Sequence, residues 1–250
     1  MSVTRAGPGF AEAWPEPLPP QAWPRERDVH VWAIDLNAPA AAPVQCLDER
    51  EIERARRFVH ADDARRYQRA HVALRAIVGA YLGCEPARLA FAEQAQGKPC
   101  LIGPRTGLHF NLSHSKDLAL LALGAADELG VDVEAVRADL PGVDLAAAVL
   151  DARELEQLAE RPDGAQAEPF VTCWTRKEAC LKAVGLGLSL EPRSLHAGLE
   201  PTPMRMRVGM RELELVSLRV RCGYRAALAA VGGLGGVSRF ELDGRGAVPG

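Results

Sequence analysis

The chain lacks most of the patterns that would assign it at once. None of its six cysteines stands in a C-x-x-C pair or a metal-ligand spacing. Cys46, Cys84, Cys100, Cys173, Cys180 and Cys222, several of them among apolar neighbours, are therefore expected to be reduced thiols in a cytoplasmic protein. No apolar run reaches the length of a membrane-spanning helix. The start, Met1 to Asp28, has prolines and charges where a signal peptide would have an apolar stretch. Neither charge sign is in real excess: 30 basic against 33 acidic residues leave −3. Such a balance gives no global attraction to nucleic acid or anionic membrane, so any anion site must be a local cluster of basic groups. There is no zinc pattern, P-loop or G-x-G-x-x-G, no basic-aromatic platform for nucleic acid, and no G-x-S-x-G nucleophile elbow.

What is present is an ordinary globular composition, 48% hydrophobic and 25% charged over 250 residues, enough for one large domain or two small ones. Residues 1–28 hold six of the 18 prolines and no periodicity, which predicts a flexible or wrapping arm. Val29 to Leu36 alternates as a strand. Leu47 to Val59 is a helix with Asp48 as a candidate cap, and Asp62 to Leu82 a longer helix closed by Gly83. A short piece at Pro86 to Phe91 and a G-K-P turn at 97–99 follow. Leu108 to His114, the continuous apolar run Leu118 to Leu123, and Val131 to Val136 read together as a meander. Asp144 to Leu158 is helical with an interruption at Asp151. A helix begins at Phe170 and stops at Gly185, with Gly187 in the turn that follows, and four strand-like runs occupy the tail: Met204 to Val208, Glu212 to Leu218, Tyr224 to Val231 and Val237 to Leu242. The class is α+β, helices packed on antiparallel sheet.

The order strand, helical segments, helix, glycine occurs twice, from Val29 to Gly83 and from Val131 to Gly185. The helix ends look alike, R-A-H-V-A-L-R-A-I-V-G against T-R-K-E-A-C-L-K-A-V-G.

Four clusters carry chemistry. In G-V-D-V-E, residues 130–134, Asp132 and Glu134 share one strand face roughly 7 Å apart and repel unless a cation joins them; hard oxygen ligands suit Mg2+ with substrate phosphates. In F-N-L-S-H-S, residues 110–115, Ser113 and His114 point to opposite faces, which argues against a nucleophilic pair, but a strand end can gather hydroxyl, imidazole and backbone N–H around a phosphate. Arg54, Arg56 and Arg57, then Arg65, Arg66 and Arg69, with Lys98 in the turn, form the basic group. The last helix pairs Glu178 with Lys182 at i,i+4. Its Lys177 falls in the apolar stripe through Phe170, Cys173, Trp174, Cys180, Leu181 and Val184, where a charge wants an anionic partner.

In this order, G-K-P, N-L-S-H-S, G-V-D-V-E and W-T-R-K-E-A-C-L-K-A-V-G-L-G-L-S resemble the phosphopantetheinyl transferase superfamily over roughly residues 29–230. The length and the F-V-H-A-D-D-A-R-R segment point to its larger, surfactin-synthetase-activator (Sfp) type. The resemblance implies two similar α+β subdomains forming an intramolecular pseudodimer, a monomer in solution, with the active site in the cleft between them. It divides the chain into a Pro-rich arm (1–28), an N-terminal subdomain with the CoA-binding basic residues (29–124) and a C-terminal subdomain with the metal-binding and catalytic acids (125–250). It also implies the reaction: transfer of the 4′-phosphopantetheine arm of coenzyme A to a serine of an apo acyl or peptidyl carrier protein, in fatty-acid, polyketide or nonribosomal-peptide synthesis, releasing adenosine 3′,5′-bisphosphate.

By matching positions, Asp132, Glu134 and Glu178 hold Mg2+, and Lys182 contacts the pyrophosphate and stabilises the leaving group. Ser113 and His114 bind CoA phosphates, Lys98 lies by the nucleotide, and Arg54 and Arg66 take the 3′-phosphate. Glu154 and Glu178 are the candidates to receive the serine proton. The position three residues before Arg54, basic in the family pattern, is here Glu51, leaving Arg50 or another arginine to substitute. Electrostatics and positioning then carry the reaction without a covalent enzyme intermediate. Two rival readings use the same residues: a Mg2+-dependent phosphohydrolase acting on CoA or a nucleotide, and a non-catalytic carrier-binding module.

Overall fold

The computed structural model describes residues 23–93, 98–102, 107–125, 128–139, 142–162, 164–185, 189–242 and 247–249. The Pro-rich arm up to residue 22, the start of the G-K-P turn and the turn expected at 186–188 lie outside the described residues, while the expected helix stop at Gly185 is found. The first strand, β1 (Val29–Asp35), precedes two helices, α1 (Glu49–Arg56) and α2 (Ala61–Leu82). A small hairpin, β2 (Ala90–Glu93) and β3 (Pro99–Ile102), leads to β4 (His109–Ser115), β5 (Leu118–Gly124) and β6 (Leu129–Ala135). Helices α3 (Val143–Val149), α4 (Ala152–Ala159) and α5 (Ala167–Val184) follow. The chain then runs through β7 (Met204–Val208), β8 (Arg211–Leu218), β9 (Tyr224–Val231), β10 (Val237–Leu242) and β11 (Ala247–Pro249).

Besides the two-stranded β2-β3 sheet, the described strands form two larger sheets, ordered β11-β10-β1-β5-β4 and β6-β9-β8-β7. The expected meander is corrected at its third strand. β4 and β5 form an antiparallel hairpin, but β6 pairs along its length with β9. Beside β4, side chains replace a ladder: Asn111 Oδ1 accepts from Val131 N at 2.8 Å and Ser115 Oγ from Ala135 N at 3.1 Å. Alternation identifies a strand and its buried face, not its partner. The tail also crosses over. β10 runs parallel to β1, with Val29 opposite Val237, so the last strands sit in the first sheet.

Alternation sorts most buried side chains into three large cores, and a smaller fourth gathers Cys46, Leu47, Val72 and Ala76. Trp32 and Ile34 of β1 pack with Leu74, Ile77 and Tyr81 of α2. Ala227 and Ala229 of β9 pack with Phe170, Cys180 and Leu181 of α5. Val29 and Val31, Leu120 and Ala122, Val131 and Val133 meet Leu228 between the two sheets. β5 is buried along its whole length, which is why it reads as an unbroken apolar run.

The two halves share a local unit that confirms the similarity seen in sequence. Asp48 caps α1 and Asp151 caps α4, each in a reciprocal capping box, with Glu51 and Glu154 at the third helical position. Each of these glutamates reaches a buried cation on the long helix that follows: Arg75 Nε donates to Glu51 Oε2 at 2.7 Å, and Lys177 Nζ lies 2.5 Å from Glu154 Oε2. Each long helix ends on a left-handed glycine, Gly83 (φ 64°) and Gly185 (φ 67°). Arg75 therefore corresponds to Lys177. The end strings as aligned in sequence, which set Gly79 against Gly185, are off by about one helical turn.

Candidate active site

On β6 the odd positions face the other sheet, so Gly130, Asp132 and Glu134 face α5. Gly130 makes the approach possible: a Cβ there would lie 2.2 Å from the Ala179 carbonyl oxygen and 2.4 Å from the Ala183 nitrogen. Strand and helix thus touch backbone to backbone. On α5, Trp174, Glu178 and Lys182 recur every four residues on the exposed side of an otherwise buried helix. With Leu112, Ser113 and His114 of β4, these two faces line a cleft of about 380 Å3.

Lys182 is the hub. Its Nζ donates to Asp132 Oδ1 at 2.6 Å and to Ser113 Oγ at 3.0 Å, and the Ser113 hydroxyl donates to the same Oδ1 at 2.7 Å. The other oxygen, Asp132 Oδ2, is buried and lacks a hydrogen-bond partner. A buried carboxylate oxygen left unpaired costs free energy; a cation would satisfy it. Glu134 Oε2 accepts from Ser115 Oγ at 2.7 Å. Burial pushes the Glu134 carboxyl above its usual range; the Asp132 and Glu178 charges add to this, while Ser115 and Lys182 pull against it. Burial likewise raises Glu178, with the Asp132 charge adding and Lys182 opposing. Three carboxylates against one ammonium leave a cleft poised for a hard divalent cation.

His114 lines the same cleft. Burial lowers its imidazole below the ordinary value, and the charges of His71, Lys182 and Arg54 lower it further, against Asp63. Both effects favour the neutral ring. Exposed Arg54 lies with its guanidinium over the Tyr67 ring, 5.9 Å from the centroid.

Other expected residues have prior engagements. Arg66 donates to Asp63 and Asp117, both at 3.1 Å. Lys98 Nζ donates to the carbonyls of Leu129 at 2.9 Å and Lys182 at 3.1 Å, tying the start of β6 to the last turn of α5. Glu51, at the position expected to be basic, is the third residue of a capping box and is bound to Arg75 and His71. Glu154, expected among the catalytic groups, is set apart from the cleft and corrected to a structural acid. Its Oε1 accepts from the backbone of Ala197 and Gly198, its Oε2 from Asp151 N and Lys177, and it is fully buried. This answers the question posed by Lys177: its partners are Glu154 and the Val149 carbonyl, 2.7 Å away. Asp151, Glu154 and His196 also bring ligand-type atoms within 4.8 Å of one another, but both Glu154 oxygens are already taken up by Lys177 and backbone N–H groups.

Sequence reasoning missed four participants. Trp174 and Leu112 line the cleft, Ser115 holds Glu134, and Gly130 admits the helix. The four-residue spacing of Trp174 from Glu178 and the glycine two before Asp132 on the same face were the available signals.

Residues 128–210 match the family model of the 4′-phosphopantetheinyl transferase superfamily, and residues 36–126 that of the N-terminal part of 4′-phosphopantetheinyl transferase. The chain is 36% identical over 192 residues to 4′-phosphopantetheinyl transferase HetI of Nostoc sp., covering 74% of this chain and 80% of that one. It is 30% identical over 138 residues to 4′-phosphopantetheinyl transferase Sfp of Bacillus subtilis, covering 55% and 60%. It is 28% identical over 170 residues to the human L-aminoadipate-semialdehyde dehydrogenase-phosphopantetheinyl transferase, covering 63% and 54%.

Proposed function

The chain belongs to the 4′-phosphopantetheinyl transferase superfamily and is an enzyme that transfers phosphopantetheine to carrier proteins; from that premise we propose how its cleft performs the transfer. Coenzyme A is the donor, a serine hydroxyl of an apo acyl or peptidyl carrier protein the acceptor, and adenosine 3′,5′-bisphosphate the product released. One observation carries the reading: G-V-D-V-E and W-T-R-K-E-A-C-L-K, remote in sequence, meet in one cleft around the buried, unpartnered Asp132 Oδ2.

Asp132, Glu134 and Glu178 fit Mg2+, being hard oxygen donors with one orphaned buried atom among them. When bound, the ion supplies Lewis-acid stabilisation of charge on the pyrophosphate. Lys182, fixed by Asp132 and Ser113, places its ammonium where the leaving phosphate develops charge. His114 and the Ser113 hydroxyl orient phosphate oxygens. Glu178, half-buried and raised in pKa by that burial and by Asp132, receives the serine proton directly or through water, since a base is most effective when its pKa lies near the working pH. Trp174 and Leu112 give the cleft an apolar wall.

We place the protein in the cytoplasm as a monomer, its two halves supplying the pairing that a dimer would. No described helix is long and apolar enough to cross a membrane. The test is mass spectrometry of an apo carrier domain incubated with the protein. A gain of one phosphopantetheine arm, dependent on both CoA and Mg2+, is expected. Phosphate release from CoA without a carrier would instead identify a hydrolase. Carrier modification undiminished in D132A and E178A would overturn the assignment of the site.

A further inference from the structure

Beside the cleft stands a group that the sequence motifs do not include. His71 lies on α2, one turn after Tyr67, and the two rings stack with centroids 4.1 Å apart. Arg54 approaches the same Tyr67 ring. The α2 segment is moored to the turn after His114 through Arg66 and Asp117. His71 Nδ1 bonds Glu51 Oε1 at 2.9 Å. Nε2 has no hydrogen-bond partner among the described residues, and the side chain is only 19% exposed. Glu51 is itself immobilised by Arg75 and the Asp48 backbone. A carboxylate so held fixes the imidazole's orientation and commits Nδ1, leaving Nε2 as the ring atom that can meet a ligand. With an anion on its other side to keep the second N–H, the ring would donate to Glu51 through Nδ1 and to that anion through Nε2.

We propose that His71, held by Glu51, is a binding residue for the phosphomonoester of the nucleotide end of coenzyme A. Glu51 is its positioning residue. The inference rests on the reading of the cleft given above: with the pyrophosphate at Lys182 and the metal acids, the second phosphate of the same ligand falls to the basic group beyond His114. That group is Arg54 and His71, because Arg66 is neutralised by Asp63 and Asp117.

The experiment compares CoA with dephospho-CoA, which lacks only that phosphomonoester, in carrier modification by the full chain. H71N keeps an amide N–H in reach of Glu51 and removes Nε2; H71Q restores a nitrogen near the Nε2 position. For wild type a lower KM with CoA than with dephospho-CoA is expected. In H71N the CoA KM should rise about tenfold, the worth of one charge-assisted hydrogen bond, with kcat nearly unchanged and dephospho-CoA unaffected. H71Q should recover part of the preference. Thermal unfolding of both variants checks that the fold is kept. An unchanged CoA-to-dephospho-CoA ratio in a folded H71N overturns the role of His71 while leaving the transferase reading intact. A wild-type chain that modifies no carrier overturns the reading beneath it.

Discussion

Asp132 has two oxygens in different circumstances, one bound twice and one buried without a partner. The neighbouring Glu134 and Glu178 have folded pKa values raised above the unfolded 4.5. A raised carboxyl contributes most below its unfolded pKa, and that contribution is lost as pH rises through its folded pKa. Without metal, E178Q should therefore melt above wild type at neutral pH, and the difference should vanish on acidification towards pH 4.5. Added Mg2+ should raise the wild-type Tm more than that of E178Q. Carrier modification by E178Q should fall about a hundredfold or more, since the lost group is one of the aligned charges. Equal metal responses in the two proteins would remove Glu178 from the metal set. Glu154 has the opposite sign. Burial raises its carboxyl, but the hydrogen bond and charge of Lys177 and the Asp151 and Gly198 N–H groups bring it below 4.5. Its stabilisation is present above that value and disappears as pH falls through the folded one. K177M, which strands the buried carboxylate, should cost about 3–5 kcal/mol at neutral pH, read by urea unfolding. The cost should shrink in acid. A neutral-pH loss no larger than that of a surface lysine would show the pair to be unimportant.

At the scale of elements, the contact of β6 with α5 decides whether two motifs become one site. The Gly130 Cβ position falls on backbone atoms of Ala179 and Ala183, which cannot swing aside as a side chain end can. G130A must part the strand from the helix, at about 1–3 kcal/mol of overpacking. Separation also moves Glu178 and Lys182 from Asp132, so carrier modification should fall further than the lowered Tm accounts for. Differential scanning calorimetry paired with single-turnover rates distinguishes the two effects. Unimpaired turnover at reduced stability would mean that the site tolerates the shift. The same helix owes its rotation to two buried cations. Arg176 donates to the Ala197 carbonyl and Ser217, Lys177 to Glu154, and together they turn Trp174, Glu178 and Lys182 to the cleft.

At the scale of the whole molecule, the described halves repeat one capped-helix unit, and the acid cleft stands beside the second. Aligning Arg75 with Lys177 and β1 with β6 sets Trp32 and Ile34 against Asp132 and Glu134, and Ala76 and Ala80 against Glu178 and Lys182. Apolar side chains fill the first half where the second carries charge, so the core under α2 is closed. The halves are then fastened by the tail. β10 covers the outer edge of β1, Phe240 stacks on Trp32 at 4.8 Å, and Gly236 N donates to Asp28 at 2.7 Å. Truncation before Val237 uncovers that edge, and exposed edges associate. The truncated protein should melt lower and elute as larger species in size-exclusion chromatography, with F240A intermediate. A monomeric truncation with unchanged Tm would show the tail to be dispensable.

Alternation and helical period in the sequence were enough to find β1, β4 to β6 and the long helices, because which residues avoid water is a local property. The capping aspartates Asp48 and Asp151 stood out as candidate helix boundaries, and the acid and lysine spacings marked Asp132, Glu134, Glu178 and Lys182. Partner choice was not local. Nothing in β6 says that its ladder goes to β9 rather than β5, or that β10 returns to β1. The roles of Glu154 and Lys177 were equally hidden, since a charge in an apolar stripe shows only that a partner is needed. Tertiary structure decided which carboxylates are spent on buried cations and which are left facing a cleft, because desolvation and pairing depend on what packs around each group.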